Sequence, residues 1–270
     1  MIWVGTNNGG SLLKDDAAFV HVNDRGFTVG EGVFETIAVH DGHPFALNRH
    51  LARLIRSAEI LDLPEPNLEV IRDSVNQVIA ANVEDIGDLG RLRVTFTAGI
   101  DPNVPSIVVT CVSQRQWDDS TTVVTVPWVR NERSSIVGAK CTSYAENTKA
   151  LKLAHKQGAS EAILANTVGN LCEGTTSNVF VVIDDQIVTP PLSSGCLPGV
   201  TRELVIRWYD VTERDIPYSE VSDIEEMFLT STTRGVHPVS SLDGRSLRLG
   251  PISHEVRSSF IEHRNKDVNP

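Results

Sequence analysis

Lys140 has Val137, Gly138 and Ala139 before it and Cys141 after it, an apolar setting for an ammonium, whereas Lys149, Lys152 and Lys156 fall within a helical pattern that leaves them solvated. Desolvation lowers the pKa of a lysine, and the neutral amine so released is a nucleophile for carbonyl carbon. Thirty-three residues later comes Glu173, in what reads as a short turn between apolar strands, where a carboxylate is costly unless a cation pairs with it. Gly199 is followed by Val200 and Thr201 at the start of a helical pattern, so the amides of these two residues point at an anion with the helix dipole behind them. The hydroxyls of Thr201 and Thr232 add to that cradle. An amine for imine formation, an acid in need of a cation and a site for an anion make one coherent chemistry. Taken singly, Lys140 and Glu173 equally fit a surface lysine and a loop acid.

Other motifs fail on their spacing. Gly30-Glu31-Gly32 begins like a dinucleotide fingerprint, but Glu35 stands where the third glycine belongs and no phosphate-binding P-loop follows. His254-Glu255 begins a zinc-protease motif, yet Ser258 replaces the second histidine. Cys111, Cys141, Cys172 and Cys196 lie 30, 31 and 24 residues apart with no CxxC pair, which predicts free buried thiols and no metal site.

The elements that must position these residues fall into two sets. Leu47, Leu51, Leu54, Ile55 and Ala58 form an apolar stripe that predicts a helix over 45–61, broken by Leu63-Pro64-Glu65-Pro66. A second helix follows, with Asn67 as N-cap and Leu68, Ile71, Val75, Val78 and Ile79 on one face. Leu92, Val94 and Phe96 alternate with Arg91, Arg93, Thr95 and Thr97, and with the β-branched run 106–110 they read as an antiparallel pair. The polar stretch 113–120 divides the chain into an α+β part, 1–115, and a larger mixed α/β part, 116–270. The second part carries strands at 121–126, 161–165, 178–183 and 227–231 and helices at 146–157 and 200–208, the first of these helices stopped by Gly158.

Composition narrows the partners. The 270 residues are 40% hydrophobic and 22% charged, with 24 Lys+Arg against 35 Asp+Glu, a net charge of −11. With a pI near 5.2 the overall field opposes nucleic acid and anionic lipid, so the anion site must be local. No cationic segment leads into an apolar core at the start of the chain, and no stretch approaches the ~20 apolar residues of a bilayer span. A cytoplasmic, reduced protein is expected.

In order and spacing, several segments resemble the class IV, or fold type IV, pyridoxal-phosphate enzymes. They are 24–36, with Gly30-Glu31-Gly32-Val33-Phe34-Glu35-Thr36, His50-Leu51-Ala52-Arg53-Leu54, Lys140-Cys141-Thr142-Ser143-Tyr144, Glu173-Gly174-Thr175-Thr176-Ser177-Asn178-Val179-Phe180, Gly199-Val200-Thr201-Arg202 and Ser231-Thr232-Thr233. The likeness covers about 26–238. It implies a two-domain fold, a smaller α+β domain followed by a larger barrel-like mixed α/β domain, and a homodimer. It also implies pyridoxal 5'-phosphate as cofactor, since that group needs a lysine to hold it as a Schiff base, an acid to keep its pyridine nitrogen protonated and donors for its phosphate. By resemblance Lys140 is the catalytic lysine and Glu173 the acid. Arg53, in the His-x-x-Arg-Leu pattern, grips the phosphate with Val200, Thr201, Ser231 and Thr232, and Tyr144 bonds the ring hydroxyl. Phe34 and Thr233 then line the substrate side.

The family includes branched-chain and D-amino acid aminotransferases, R-selective amine transaminases and 4-amino-4-deoxychorismate lyases. D-amino acid aminotransferases resembling this chain carry an Arg-x-His pair where Thr97-Ala98-Gly99-Ile100-Asp101-Pro102-Asn103-Val104-Pro105 stands, and several lyases have an arginine at the place of Ala98. Both departures favour a transaminase taking a small amino acid or R-amine as donor and a keto acid as acceptor, with the Ser231-Thr232-Thr233 turn or, from another direction, Arg25, Arg91, Arg93 or Arg234 left to hold a carboxylate. The lyase that releases 4-aminobenzoate and pyruvate is the alternative. A non-catalytic small-molecule binder is a second, against which an intact Lys140 and Glu173 argue.

Overall fold

The computed structural model describes residues 1–101 and 103–270. They form two compact units: Met1–Gln116 with Ala139–Ser143 and Val268–Pro270, and Trp117–Gly138 with Tyr144–Asp267.

The first unit contains β1 (Ile2–Thr6), β2 (Gly9–Leu13), α1 (Arg25–Thr28), β3 (Gly32–His40), β4 (His43–Pro44), α2 (Leu47–Ile60), α3 (Leu68–Ile86), β5 (Leu89–Asp101) and β6 (Val104–Ser113). Its antiparallel sheet runs β2-β1-β6-β5-β3-β4, and α2 and α3 pack against it. The antiparallel pair expected from the alternation is β5 and β6, with Val94 opposite Val109. Asn67 caps α3, its Oδ1 accepting from the amides of Glu69 (3.1 Å) and Val70 (3.4 Å). The apolar stripe of α2 is buried at Leu51, Leu54 and Ala58, but so is a second, polar stripe of His50, Arg53 and Ser57. β3 has no counterpart in the sequence reading, because a strand buried along nearly its whole length shows no alternation. The short segment around Lys140 lies against its start: Cys141 bridges Val33, the Phe34 amide donates to the Lys140 carbonyl (2.8 Å) and the Thr142 amide to that of Gly32 (2.8 Å). Lys140 therefore folds with the first unit.

The second unit contains β7 (Thr121–Arg130), α4 (Ala145–Lys156), β8 (Glu161–Asn166), β9 (Leu171–Gly174), β10 (Asn178–Ile183), β11 (Gln186–Thr189), α5 (Val200–Trp208), β12 (Val211–Glu213), β13 (Glu226–Ser231), β14 (Gly235–Leu242), β15 (Arg245–Ser246) and α6 (Pro251–Lys266). Its nine-stranded mixed sheet runs β12-β11-β10-β13-β14-β7-β8-β9, with β15 on β14. Val123, Ile163, Val179, Val181, Met227, Leu229 and Val239 meet in its core. One local expectation is corrected. Glu173 is not in a turn but in β9, paired with Leu164 of β8, a strand too short to announce itself by periodicity. No helix of the described residues is long and apolar enough to cross a membrane.

Candidate active site

Around Lys140 the first unit supplies three kinds of contact. The Lys140 amide donates to Ser57 Oγ on α2 (3.0 Å), so the backbone is tied to α2 as well as to β3. Its half-buried side chain reaches over the Phe34 ring, with Nζ 4.3 Å from the centroid. The Arg93 guanidinium carbon lies 3.8 Å from the same centroid, and Arg93 Nε donates to Thr95 Oγ1 (3.0 Å). Both cations sit on one aromatic ring, which puts the guanidinium carbon and the amine within about 8 Å of each other. Of the other candidate clamps, Arg25 is exposed and pairs with Glu31, and Arg91 is exposed on β5. Arg234, in the second unit, is buried over Trp117 and bonded to Ser160 and His237. Gly30 adopts φ +72° where a Cβ would lie 2.4 Å from Ser143 Oγ, so the Gly-x-Gly element serves a turn and a close approach to the Lys140 segment.

Arg53 is not the solvated helix residue its place opposite the leucine stripe suggests. Its side chain is buried and forms two parallel bonds with Glu35 of β3, Nε to Oε1 (2.8 Å) and Nη2 to Oε2 (2.6 Å). His50 Nδ1 lies 2.7 Å from Oε2. Burial pushes the Glu35 pKa up, but Arg53 and His50 more than offset it and hold the carboxyl at about 2. Burial also lowers the pKa of His50, so its ring is neutral.

In the second unit Glu173 is buried and held from two sides. Arg130 Nε donates to Oε1 (3.0 Å) and the Leu197 amide to Oε2 (2.9 Å). Burial opposes the Arg130 charge, yet Glu173 beside it carries the guanidinium pKa above its ordinary value. Tyr144 is half-buried at the start of α4. Asn178 Nδ2 donates to the Leu197 carbonyl (2.9 Å), which fixes the turn into α5. That helix begins at Gly199 without a side-chain cap, and Val200 and Thr201 of its first turn are buried. α5 packs on β13, whose end carries Ser231, with Thr232 and Thr233 in the turn that follows. On β13 the buried Thr230 hydroxyl, opposite Asn178, has no hydrogen-bond partner among the described residues.

The hydroxyls of Thr175-Thr176-Ser177 have a different employment. Glu161, fully buried on β8, accepts bonds from the Thr175 and Thr176 amides (3.0 and 3.2 Å), from the Thr176 and Ser177 hydroxyls (2.7 and 3.1 Å), from the Thr175 hydroxyl and from the Ala162 amide (3.0 Å). Asn147 of α4 adds a bond to the Thr175 carbonyl (2.7 Å). Arg130 and Glu161 carry no mark in the sequence, and Glu35 shows there no partner or role, since an isolated acid or arginine carries no periodic signal. The four cysteines are free and buried, and burial pushes the thiols of Cys111 and Cys196 up to about 11.

Residues 32–242 match the family of class IV amino-transferases. The bifunctional aminodeoxychorismate lyase / D-amino acid transaminase of Mycobacterium tuberculosis is 29% identical over 285 residues, 94% of this chain and 96% of that protein. A fold IV transaminase from Curtobacterium pusillum superposes with a TM-score of 0.88 at 32% identity, covering 98% of this chain and 99% of the other. A hypothetical aminotransferase from Mycobacterium tuberculosis in its PLP-bound form gives 0.87 at 28%, covering 96% and 97%. The donor set suits that cofactor. The first turn of α5 has no side-chain cap and could hold a phosphate on its amides, the unpartnered Thr230 hydroxyl lies on the strand packed beside it, and the fixed carboxylate of Glu173 could pair with a ring nitrogen. With a half-buried lysine held at its backbone from two elements, the sequence match and the fold lead to one conclusion: the chain belongs to the class IV aminotransferase family and is an enzyme dependent on pyridoxal phosphate.

Proposed function

We propose that this aminotransferase works on amino acids and keto acids whose carboxylate is taken by Arg93, with Lys140 as its catalytic residue. The observation that carries the reading is the pairing of the Arg93 guanidinium and the Lys140 ammonium on the ring of Phe34. A guanidinium fork meets a carboxylate with two parallel bonds and so orients the substrate, while the neighbouring amine moves the proton of its Cα. The cofactor, when bound, supplies the electron sink for that proton loss. Glu173, held by Arg130 and Leu197, keeps a proton on the ring nitrogen, and Tyr144 bonds the ring hydroxyl. Arg53, Val200, Thr201, Ser231 and Thr232 take the phosphate, and Phe34 and Thr233 border the substrate.

In this reading Arg93 fills the role left open by the missing Arg-x-His pair, and carboxylate-bearing donors are preferred over plain R-amines. The test is a panel of R- and S-1-phenylethylamine, D-alanine, L-leucine and aminodeoxychorismate, followed for keto product or 4-aminobenzoate in wild type and Arg93→Met. The substitution should lower kcat/KM for amino acids by about 10- to 100-fold and leave the amines little changed. Rapid 4-aminobenzoate release with negligible amino transfer would replace the transaminase with the lyase, and equal effects on acids and amines would remove Arg93 from the substrate.

The proposal extends to assembly and compartment. Phe19, Val20, Val22, Phe27 and Val29 are all exposed within eleven residues of the first unit, an apolar concentration that suits a homodimer interface. Sedimentation at micromolar concentration tests it, a monomer refuting it. Free thiols at all four cysteines fit the reducing cytoplasm.

A further inference from the structure

Glu35 lies on β3 between Phe34 and Thr36, with Val33, Ile37, Ala38 and Val39 buried around it. A carboxylate in such a place is expelled or neutralised unless donors surround it. Here they come from one face of α2. Arg53 occupies Oε1 and Oε2 with its Nε and Nη2, and His50, one turn earlier, occupies Oε2 as well. An ionised carboxylate only accepts, so His50 Nδ1–H donates. The next turn of the same face carries Ser57, whose hydroxyl receives the Lys140 amide. One strip of α2 thus carries both the hydroxyl that holds the backbone of the lysine and the buried guanidinium.

Stability does not explain the arrangement. A buried ion pair contributes little beyond what well-packed apolar side chains of the same volume would. What the double bond to Glu35 does achieve is orientation: two parallel N–H···O contacts fix the plane of the guanidinium, which four side-chain torsions would otherwise leave free to swing. Order of this kind is worth most where the remaining donors must meet a second anion already aligned.

We infer that Glu35, backed by His50, is a positioning residue for the cofactor phosphate, holding Arg53 in the orientation in which it receives the dianion. The inference rests on the reading that Arg53 grips the phosphate. Glutamine at position 35 cannot serve, because its amide nitrogen would face the N–H groups of Arg53 and His50. Aspartate keeps the charge, but its carboxylate, one methylene shorter, falls short of the place where Arg53 and His50 meet it.

The experiment compares binding of pyridoxal phosphate and of pyridoxal, which lacks the phosphate, to full-length protein stripped of cofactor, by fluorescence titration of wild type, Glu35→Gln, Glu35→Asp and Arg53→Gln. Glu35→Gln should weaken pyridoxal phosphate by about 10- to 100-fold and pyridoxal by less than about threefold. Parallel losses for the two ligands, or none, would mean that Glu35 only supports the fold and would overturn the inference while Arg53→Gln still loses phosphate discrimination. Full discrimination in Arg53→Gln would instead overturn the reading of Arg53, and the inference with it. If Glu35→Gln does not fold, Glu35→Asp decides: a loss confined to pyridoxal phosphate supports the positioning role, and unchanged or parallel binding refutes it.

Discussion

Gly199 stands where the chain turns into α5, at φ −66°, a conformation open to any residue, so alanine there is not strained in its backbone. It is obstructed by a neighbour. A Cβ would lie 2.1 Å from Asn178 Oδ1 and 3.3 Å from its Cγ, and Asn178 is buried. The amide must rotate away, giving up its bond to the Leu197 carbonyl, which costs about 1–3 kcal/mol for buried groups left unpaired. Overpacking adds about 1–3 kcal/mol. Gly199→Ala should therefore lose about 2–6 kcal/mol in denaturant unfolding of the cofactor-free protein. Because the Leu197 amide also binds Glu173 and the Gly199 carbonyl begins the ladder of α5, affinity for pyridoxal phosphate should fall with it. Asn178→Ala removes the obstruction, so in that background Gly199→Ala should cost less than about 1 kcal/mol, the shortfall being the coupling of the pair. Equal costs in the two backgrounds would refute the steric argument, as would a single-variant loss below about 0.5 kcal/mol.

Lys140→Ala should abolish the borohydride-stable link between protein and cofactor and nearly all turnover, checked by peptide mapping of the reduced protein; an unchanged labelled peptide would contradict its role. Glu173→Gln should keep fold and cofactor while slowing turnover by about 10²- to 10⁴-fold in steady-state assays. Glu35 gives a pH signature. Its folded pKa, about 2 against an ordinary 4.5, is depressed, so its contribution is complete above pH 4.5 and lost as the pH falls to about 2. That loss amounts to about 3 kcal/mol, and the stability difference between wild type and Glu35→Gln, followed by urea unfolding, should shrink across the same window. The lowered pKa of His50 acts in the same direction, costing stability as the pH drops below 6.5, since the unfolded ring takes the proton first.

The parts of the fold legible in the sequence were those with a repeating pattern or a cap. Asn67 at the start of α3, the alternation of β5 and the Gly199-Val200 start of α5 each carry a local signal that tertiary contacts reinforce. β3 and β9 lacked one, the first because nearly every residue is buried, the second because four residues hold no period. At the site, family spacing singled out Lys140, Arg53 and Glu173, but their partners were invisible. Glu35 stood in the glycine-rich segment without a partner or a role, and Arg53 was marked by the His-x-x-Arg-Leu pattern and not by the helix, since a stripe of apolar residues passes over a polar strip buried beside it. The hydroxyl run after Glu173 was equally ambiguous until Glu161, twelve residues upstream, showed what it binds.

Glu161 makes a rule for exchanging parts between homologues. Its six donors come from Ala162, Thr175, Thr176 and Ser177, so the acid on β8 and the turn after β9 are two halves of one object separated by a hairpin. A gene crossover falling between positions 162 and 175 would join this carboxylate to a foreign turn, or this turn to a foreign strand. Unless the other parent offers the same hydroxyls, a charge is then enclosed without its donors, a defect of about 3–5 kcal/mol. Chimeras that inherit 161–178 as a single block escape that defect, whichever parent supplies the rest.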